Sequence, residues 1–233
     1  LAVLSILLVW LFQVGVVVST ARLQMSRRNA LILFLVGTAL FCLSLVIKVK
    51  SPALRFALVT GRDLSLMLAA VPFGYLVSFI IKEPNILVPV ALVAGIVDFW
   101  NVMVGPLGKV VEKHPAIVDK VSVHVPSVVR GLPAPTIGMG DIVFLAMFFG
   151  VVYRFGMNAK SAFWLGYILL AVSLFAVLIF PIAIPALVPM GIAIVISNFN
   201  RFKLKRDEIL ATVIVSVFVA ALLSVFTLFM RKM

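Results

Sequence analysis

Two carboxylic acids stand where carboxylic acids are costly. Asp98 lies deep in the stretch Val-Ala-Gly-Ile-Val-Asp-Phe-Trp-Asn-Val-Met-Val, and Asp141 lies about a turn into Gly-Met-Gly-Asp-Ile-Val-Phe-Leu-Ala-Met-Phe-Phe-Gly. The other six of the eight acidic residues fall at the ends of apolar runs or between them. An ionisable group at the centre of a membrane span costs about 2.5–3.5 kcal/mol on insertion scales, so its retention points to a task. Two carboxyls about 3 Å apart in a low-dielectric site cannot both ionise. They share a proton, and one member acts as base toward water while the other donates to a carbonyl oxygen. Such a pair hydrolyses an amide with neither metal nor covalent nucleophile, and Asn101, one helical turn from Asp98, is placed to hydrate that face. Taken singly, each residue has a plainer reading. Asp98 fits a polar contact between helices, and Asp141 fits a carboxylate favoured by the dipole at a helix start.

Gly138 and Gly140 flank Met139 directly before Asp141. Glycines at i−3 and i−1 remove side chains beside the carboxyl, which admits another backbone or a conformation closed to other residues. A second irregularity is the series Pro181, Pro185, Pro189 within apolar sequence. It is expected to interrupt a regular helix and free backbone polar groups, which at membrane depth is tolerated only beside protein or a water-filled cavity.

The elements that must position these residues follow from composition. The chain is 233 residues, 64% hydrophobic and 12% charged, with a mean hydropathy of +1.27. That excludes an ordinary soluble domain and makes this a multi-pass integral membrane protein. A helix needs about 20 apolar residues to cross roughly 30 Å of hydrocarbon. About eight such runs occur, at 1–20, 29–47, 62–81, 86–105, 138–156, 161–180, 182–198 and 208–230. They are continuously apolar rather than alternating, so helices are expected and a barrel is not. Asn29 and Asp207 are the expected N-caps of the second and eighth runs, and Pro52, Pro84, Pro106 and Pro181 punctuate ends. The layout is N-terminal helices over 1–81, a core over 86–198 that holds both aspartates, and a last helix at 208–230.

Residues 106–137 form the one sizeable aqueous connector, and Val121–Val129 within it has the β-branched content of a strand or hairpin edge. The net charge of +12 comes from short Lys and Arg clusters between apolar runs, which suits lipid headgroups and not nucleic acid. The 20 Lys and Arg divide evenly between alternate connectors, so the positive-inside rule selects no orientation. Cys42, the single cysteine, sits in an apolar run and reads as packing. Because the chain opens on Leu1, a processed or partial sequence is expected, with room for an upstream span.

The ordered set of Asp98, then Gly138-Met139-Gly140-Asp141, then Pro185-Ala186-Leu187 resembles the three signatures of the GxGD intramembrane aspartyl proteases, the presenilin and signal peptide peptidase group. The resemblance covers about residues 86–198. It implies an all-α fold, a presenilin-like polytopic transmembrane helical bundle, with Asp98 and Asp141 as catalytic dyad on facing sides of the fourth and fifth spans. It further implies that Gly138, Met139 and Gly140 shape the active-site helix, and that Pro185, Ala186 and Leu187 form the broken segment beside the dyad where substrate binds. Substrates would be single-span transmembrane helices or signal-peptide remnants, with no metal or cofactor. The sequence departs from the family in having Val97 where a Tyr is usual, three spans instead of five before Asp98, and an extra span after Pro-Ala-Leu.

Two other readings fit parts of the pattern. Prepilin and preflagellin peptidases are also GxGD proteases of similar size, but they cut near the membrane surface and do not share Pro-Ala-Leu. An ion-coupled transporter or channel also uses intramembrane carboxyls and broken helices. Other polar residues read as architecture. Arg62 and Asp63 form an interface pair and cap at the start of the third run, and Arg154 and Lys160 are anchors snorkelling at a span end. His114 and His124, ten residues apart with no cysteine near them, do not make a metal site.

Overall fold

A computed structural model describes residue 11 and residues 14–47, 51–103, 122–124, 136–179 and 185–232. Eight α-helical segments occur among them, one in each apolar run: α1 (14–22), α2 (Arg27–Val46), α3 (Pro52–Ser78), α4 (Leu87–Met103), α5 (Met139–Arg154), α6 (Ala159–Ile179), α7 (Leu187–Ser197) and α8 (Arg206–Lys232). Four stretches, Arg27–Val46, Leu54–Ser78, Pro84–Met103 and Arg206–Leu228, are long and apolar enough to cross a membrane. They also keep large apolar side chains exposed, among them Leu35, Leu43, Phe56, Val217 and Phe218, as helices solvated by lipid do.

Helix starts differ from the sequence expectation where local chemistry decides them. Ser26, not Asn29, caps α2, because its hydroxyl accepts the Asn29 amide at 3.2 Å. Pro52 does not end a helix but opens α3 at its first turn, where its missing N–H costs nothing. Arg62 and Asp63 therefore lie inside α3 and do not cap it. Pro84 opens a short 3-10 turn, Pro84–Ile86, that leads into α4. At α8 the helix starts at Arg206 and Asp207 lies in its first turn, while the Glu208 carboxylate accepts the Lys205 amide at 2.8 Å. Pro106 and Pro181 lie outside the described residues.

The chain divides into two compact units, Leu1–Ile80 with Ala116–Arg154, and Ile81–Pro115 with Phe155–Met233. This grouping cuts across the three-part layout read from the sequence, since α4 and α5 fall in different units. In the first unit α3 packs against both α2 and α5. Glycines make the approach close. A Cβ added at Gly37 would stand 2.5 Å from the Ala69 nitrogen, and one at Gly74 would stand 2.1 Å from the Val143 carbonyl oxygen. Pro72, inside α3, cannot bond the Leu68 carbonyl, and it is against this carbonyl that α2 lays Gly37. Tyr75, Phe148, Val151 and Val152 fill the core between α3 and α5.

Arg154, expected as a snorkelling anchor, also has partners within the protein. It ends α5 by donating to the Ser78 carbonyl at the C-terminus of α3, and its guanidinium lies 4.5 Å from the Phe79 ring centroid, as Arg27 does at 4.6 Å. Residues Ser122–His124 form β1 and Thr136–Gly138 form β2, paired antiparallel with Ser122 opposite Gly138. The strand expected over 121–129 thus occurs at 122–124, and it packs on α3.

In the second unit α7 packs between α4 and α6, and α8 packs on α4. A Cβ at Gly191 would meet the Ala91 carbonyl oxygen at 3.3 Å, so α7 and α4 also run close. Trp100 ties α4 to α8 through its indole N–H, which donates to the Thr227 hydroxyl at 2.7 Å, and through an edge contact with Phe226.

The glycine contacts make a direct prediction. Gly74→Ala forces α3 and α5 apart and is expected to cost about 1–3 kcal/mol, seen as a lower thermal midpoint in detergent. Gly61→Ala on the same helix, with nothing within 4 Å among the described residues, is expected to be neutral or mildly stabilising.

Candidate active site

Each predicted site residue sits at or beside a helix start or within a helix, and the structure groups them in two sets. Asp98 is carried by the fourth turn of α4 and is partly buried. Its Oδ2 accepts the backbone N–H of Leu187 at 2.8 Å, across 89 residues of chain. Leu187 is the first residue of α7 and Ala186 its N-cap, with Pro185 buried just before. Asp98 therefore supplies, from a neighbouring helix, an acceptor for the first amide of α7, one of those the helix itself leaves unbonded. The Pro-Ala-Leu segment and the span aspartate meet.

The proline series behaves differently from its expectation. Pro189 does not break a helix, because it sits at the third position of α7, where an amide hydrogen has no intrahelical partner to lose. In the described part of this segment only Pro185 lies before the helix, since Ala186 already has α-region dihedrals and its carbonyl accepts the Met190 amide. Residues 181–184 lie outside the described set.

Asp141 belongs to the first unit and to the first turn of α5. Strand β2 ends on Gly138, and α5 begins on the next residue, Met139, so the GxGD sequence is a strand-to-helix junction without a loop. The helix dipole favours a carboxylate at that turn. The two glycines are not forced by a left-handed backbone, since neither has a positive φ. A Cβ at Gly138 would touch only the Asp141 Oδ2, at 3.5 Å, and one at Gly140 would have nothing within 4 Å among the described residues. Among the described residues, then, neither glycine is needed to make room for a neighbouring backbone.

Sequence reasoning had assigned Val121–Val129 to a strand edge but had not found its partner. The pairing sets the partly buried Gly138 opposite the buried Ser122, and no periodicity in the connector signals that register. Asn101 is partly buried on α4, one turn from Asp98. His114 lies outside the described residues, and His124 is the last residue of β1. Comparison with protein-family models, with curated proteins and with solved structures returns no match for this chain.

The Asp98 bond separates two roles by substitution. Asp98→Ala leaves the Leu187 amide without its acceptor and is expected to cost about 1–2 kcal/mol, with faster hydrogen exchange over 187–190. Asp98→Asn keeps an oxygen there and is expected to retain most of that stability and protection.

Proposed function

We propose that this protein is an intramembrane aspartyl protease of the presenilin and signal peptide peptidase kind, with Asp98 and Asp141 as its dyad within a polytopic bundle of about eight spans. The observation that carries this reading is the Asp98 to Leu187 hydrogen bond, which joins two of the three sequence signatures through one carboxylate. Support for the third comes from the strand-to-helix junction at Gly138, which sets Asp141 in the first turn of α5.

In the proposed reaction the carboxyls of Asp98 and Asp141 hold one water between them. The ionised member takes a proton from that water as its oxygen attacks the substrate carbonyl carbon, and the protonated member donates to the carbonyl oxygen. The carboxyl that took the water's proton delivers it to the departing nitrogen as the C–N bond breaks, and the other, ionised after the first step, takes a proton from a diol hydroxyl as the product carbonyl forms. The dyad returns with one proton shared. No metal or cofactor enters.

A substrate helix hides its carbonyls in its own hydrogen bonds, so it must unwind locally before attack. Substrates in this reading are single-span helices or signal-peptide remnants. The unwound stretch is stabilised as an added strand along the β1–β2 ladder near Gly138 and against the backbone at Pro185, before α7 begins. Hydrogen exchange on a trapped substrate complex should then show new protection at 136–138 or at the Ala186 amide, and protection at neither site removes the strand-addition step.

The decisive measurement compares wild type, Asp98→Asn and Asp141→Asn, purified in detergent, against a panel of single-span peptides, with a transition-state-analogue inhibitor as control. Each substitution is expected to lower cleavage by roughly 10²- to 10⁴-fold or more while the protein stays folded. Cleavage that persists in either variant excludes the dyad. Ion or solute uptake into vesicles that both substitutions abolish, with no peptide cut by wild type, assigns the carboxyls to transport instead.

A further inference from the structure

Along the second unit, α4 and α7 do not close on each other completely. They leave a groove of about 510 Å³ with Gly95 and Gly191 in its floor and Leu92, Phe99, Ile192 and Ile196 along its rims. All four rim residues are exposed large hydrophobics. The groove spans α4 from Val88 to Phe99, ~16 Å at the helical rise. Its lining is apolar throughout, and its length suits an extended apolar chain.

What lies at the end of the groove selects the chain's owner. Ile196 also lines a second cavity of about 370 Å³, built from the turn Gly156–Asn158 and from Ser197–Arg201. This cavity is polar where the groove is apolar. The Ser197 Oγ is buried at its wall with no hydrogen-bond partner among the described residues. Exposed Arg201, Lys203, Lys205 and Arg206 follow in sequence. The Asn85 side chain holds the segment in place, accepting the Lys203 amide at 3.0 Å and donating to the Lys203 carbonyl at 3.1 Å, one turn before Val88. Residues 198–208 contain four basic and two acidic residues, and one of the two, Glu208, is engaged by Asn85 and by the Lys205 amide.

An apolar slot that opens on a cationic polar mouth is the complement of an amphiphile with an anionic head. We propose that the groove holds an acyl chain of one anionic phospholipid, with its phosphate among Arg201, Lys203 and the polar groups of the 156–158 turn. Within a bilayer the chain gains little by exchanging lipid neighbours for side chains, so selectivity comes from the head, at about fivefold per basic residue. This inference is independent of the hydrolytic reading.

The test uses the full chain in detergent, titrated with dioleoylphosphatidylglycerol or dioleoylphosphatidylcholine and read by native mass spectrometry. Three variants are compared after a matching circular-dichroism and size-exclusion check: Arg201→Gln with Lys203→Gln, and the groove fillers Ile192→Trp and Leu92→Trp, from opposite walls. Wild type is expected to retain one phosphatidylglycerol per chain in preference to phosphatidylcholine. The charge variant should weaken the first by about twenty-five-fold and leave the second unchanged. At least one correctly folded groove filler should weaken both. Equal retention of the two lipids overturns the proposal, as does a charge variant that holds phosphatidylglycerol like wild type. So does undiminished retention in both fillers, which would mean adsorption of the headgroup alone.

Discussion

A helix that begins in apolar surroundings must find acceptors for amides that its own turns cannot bond. Helix α7 is in that position: eleven residues long, begun by Pro-Ala-Leu, and packed between α4 and α6. Of its first amides, Leu187 is taken by Asp98, residue 189 is a proline with none to satisfy, and Met190 bonds the Ala186 carbonyl at 3.3 Å. The carboxylate of α4 thus lets α7 start where it does, and α7 in turn gives the second unit its centre. A group with this structural duty is not thereby barred from chemistry. In the proposed mechanism it is the carboxyl's other oxygen that acts on the water.

The first unit solves a different problem. Its helices have no hydrophobic force to press them together in lipid, so packing quality must do so. Gly37 and Gly74 let α2 and α5 reach the backbone of α3, and Pro72 leaves the Leu68 carbonyl free where Gly37 meets it. At one end of the unit Phe79 lies between two guanidiniums while Arg154 closes the last turn of α3. The Arg154 guanidinium thus meets a carbonyl and a ring of the same unit.

Much of this was legible in the sequence because hydropathy is a local signal. Every apolar run contains a helix, and the clustering of Asp98 with Leu187 follows the order of motifs. The errors have physical causes. The third apolar run begins at 62, but a helix carries charged residues without stopping, so α3 begins at Pro52 and holds Arg62 and Asp63 near its middle. No one-dimensional pattern reveals that the Ser78 carbonyl and the Phe79 ring lie beside Arg154. Pro189 looked like a breaker because its effect depends on which turn it occupies. The Asn85 link to Lys203, over 118 residues, belongs to tertiary contact alone.

One junction has a mechanical meaning. With Gly138 closing β2 and Met139 opening α5, there is no slack between ladder and helix. A strand advances about 3.3 Å per residue and a helix 1.5 Å. A slip of the ladder by a single residue cannot be absorbed by a hinge. It must be taken up by winding or unwinding the very turn that carries Asp141, which makes strand register and the position of that carboxyl a single degree of freedom.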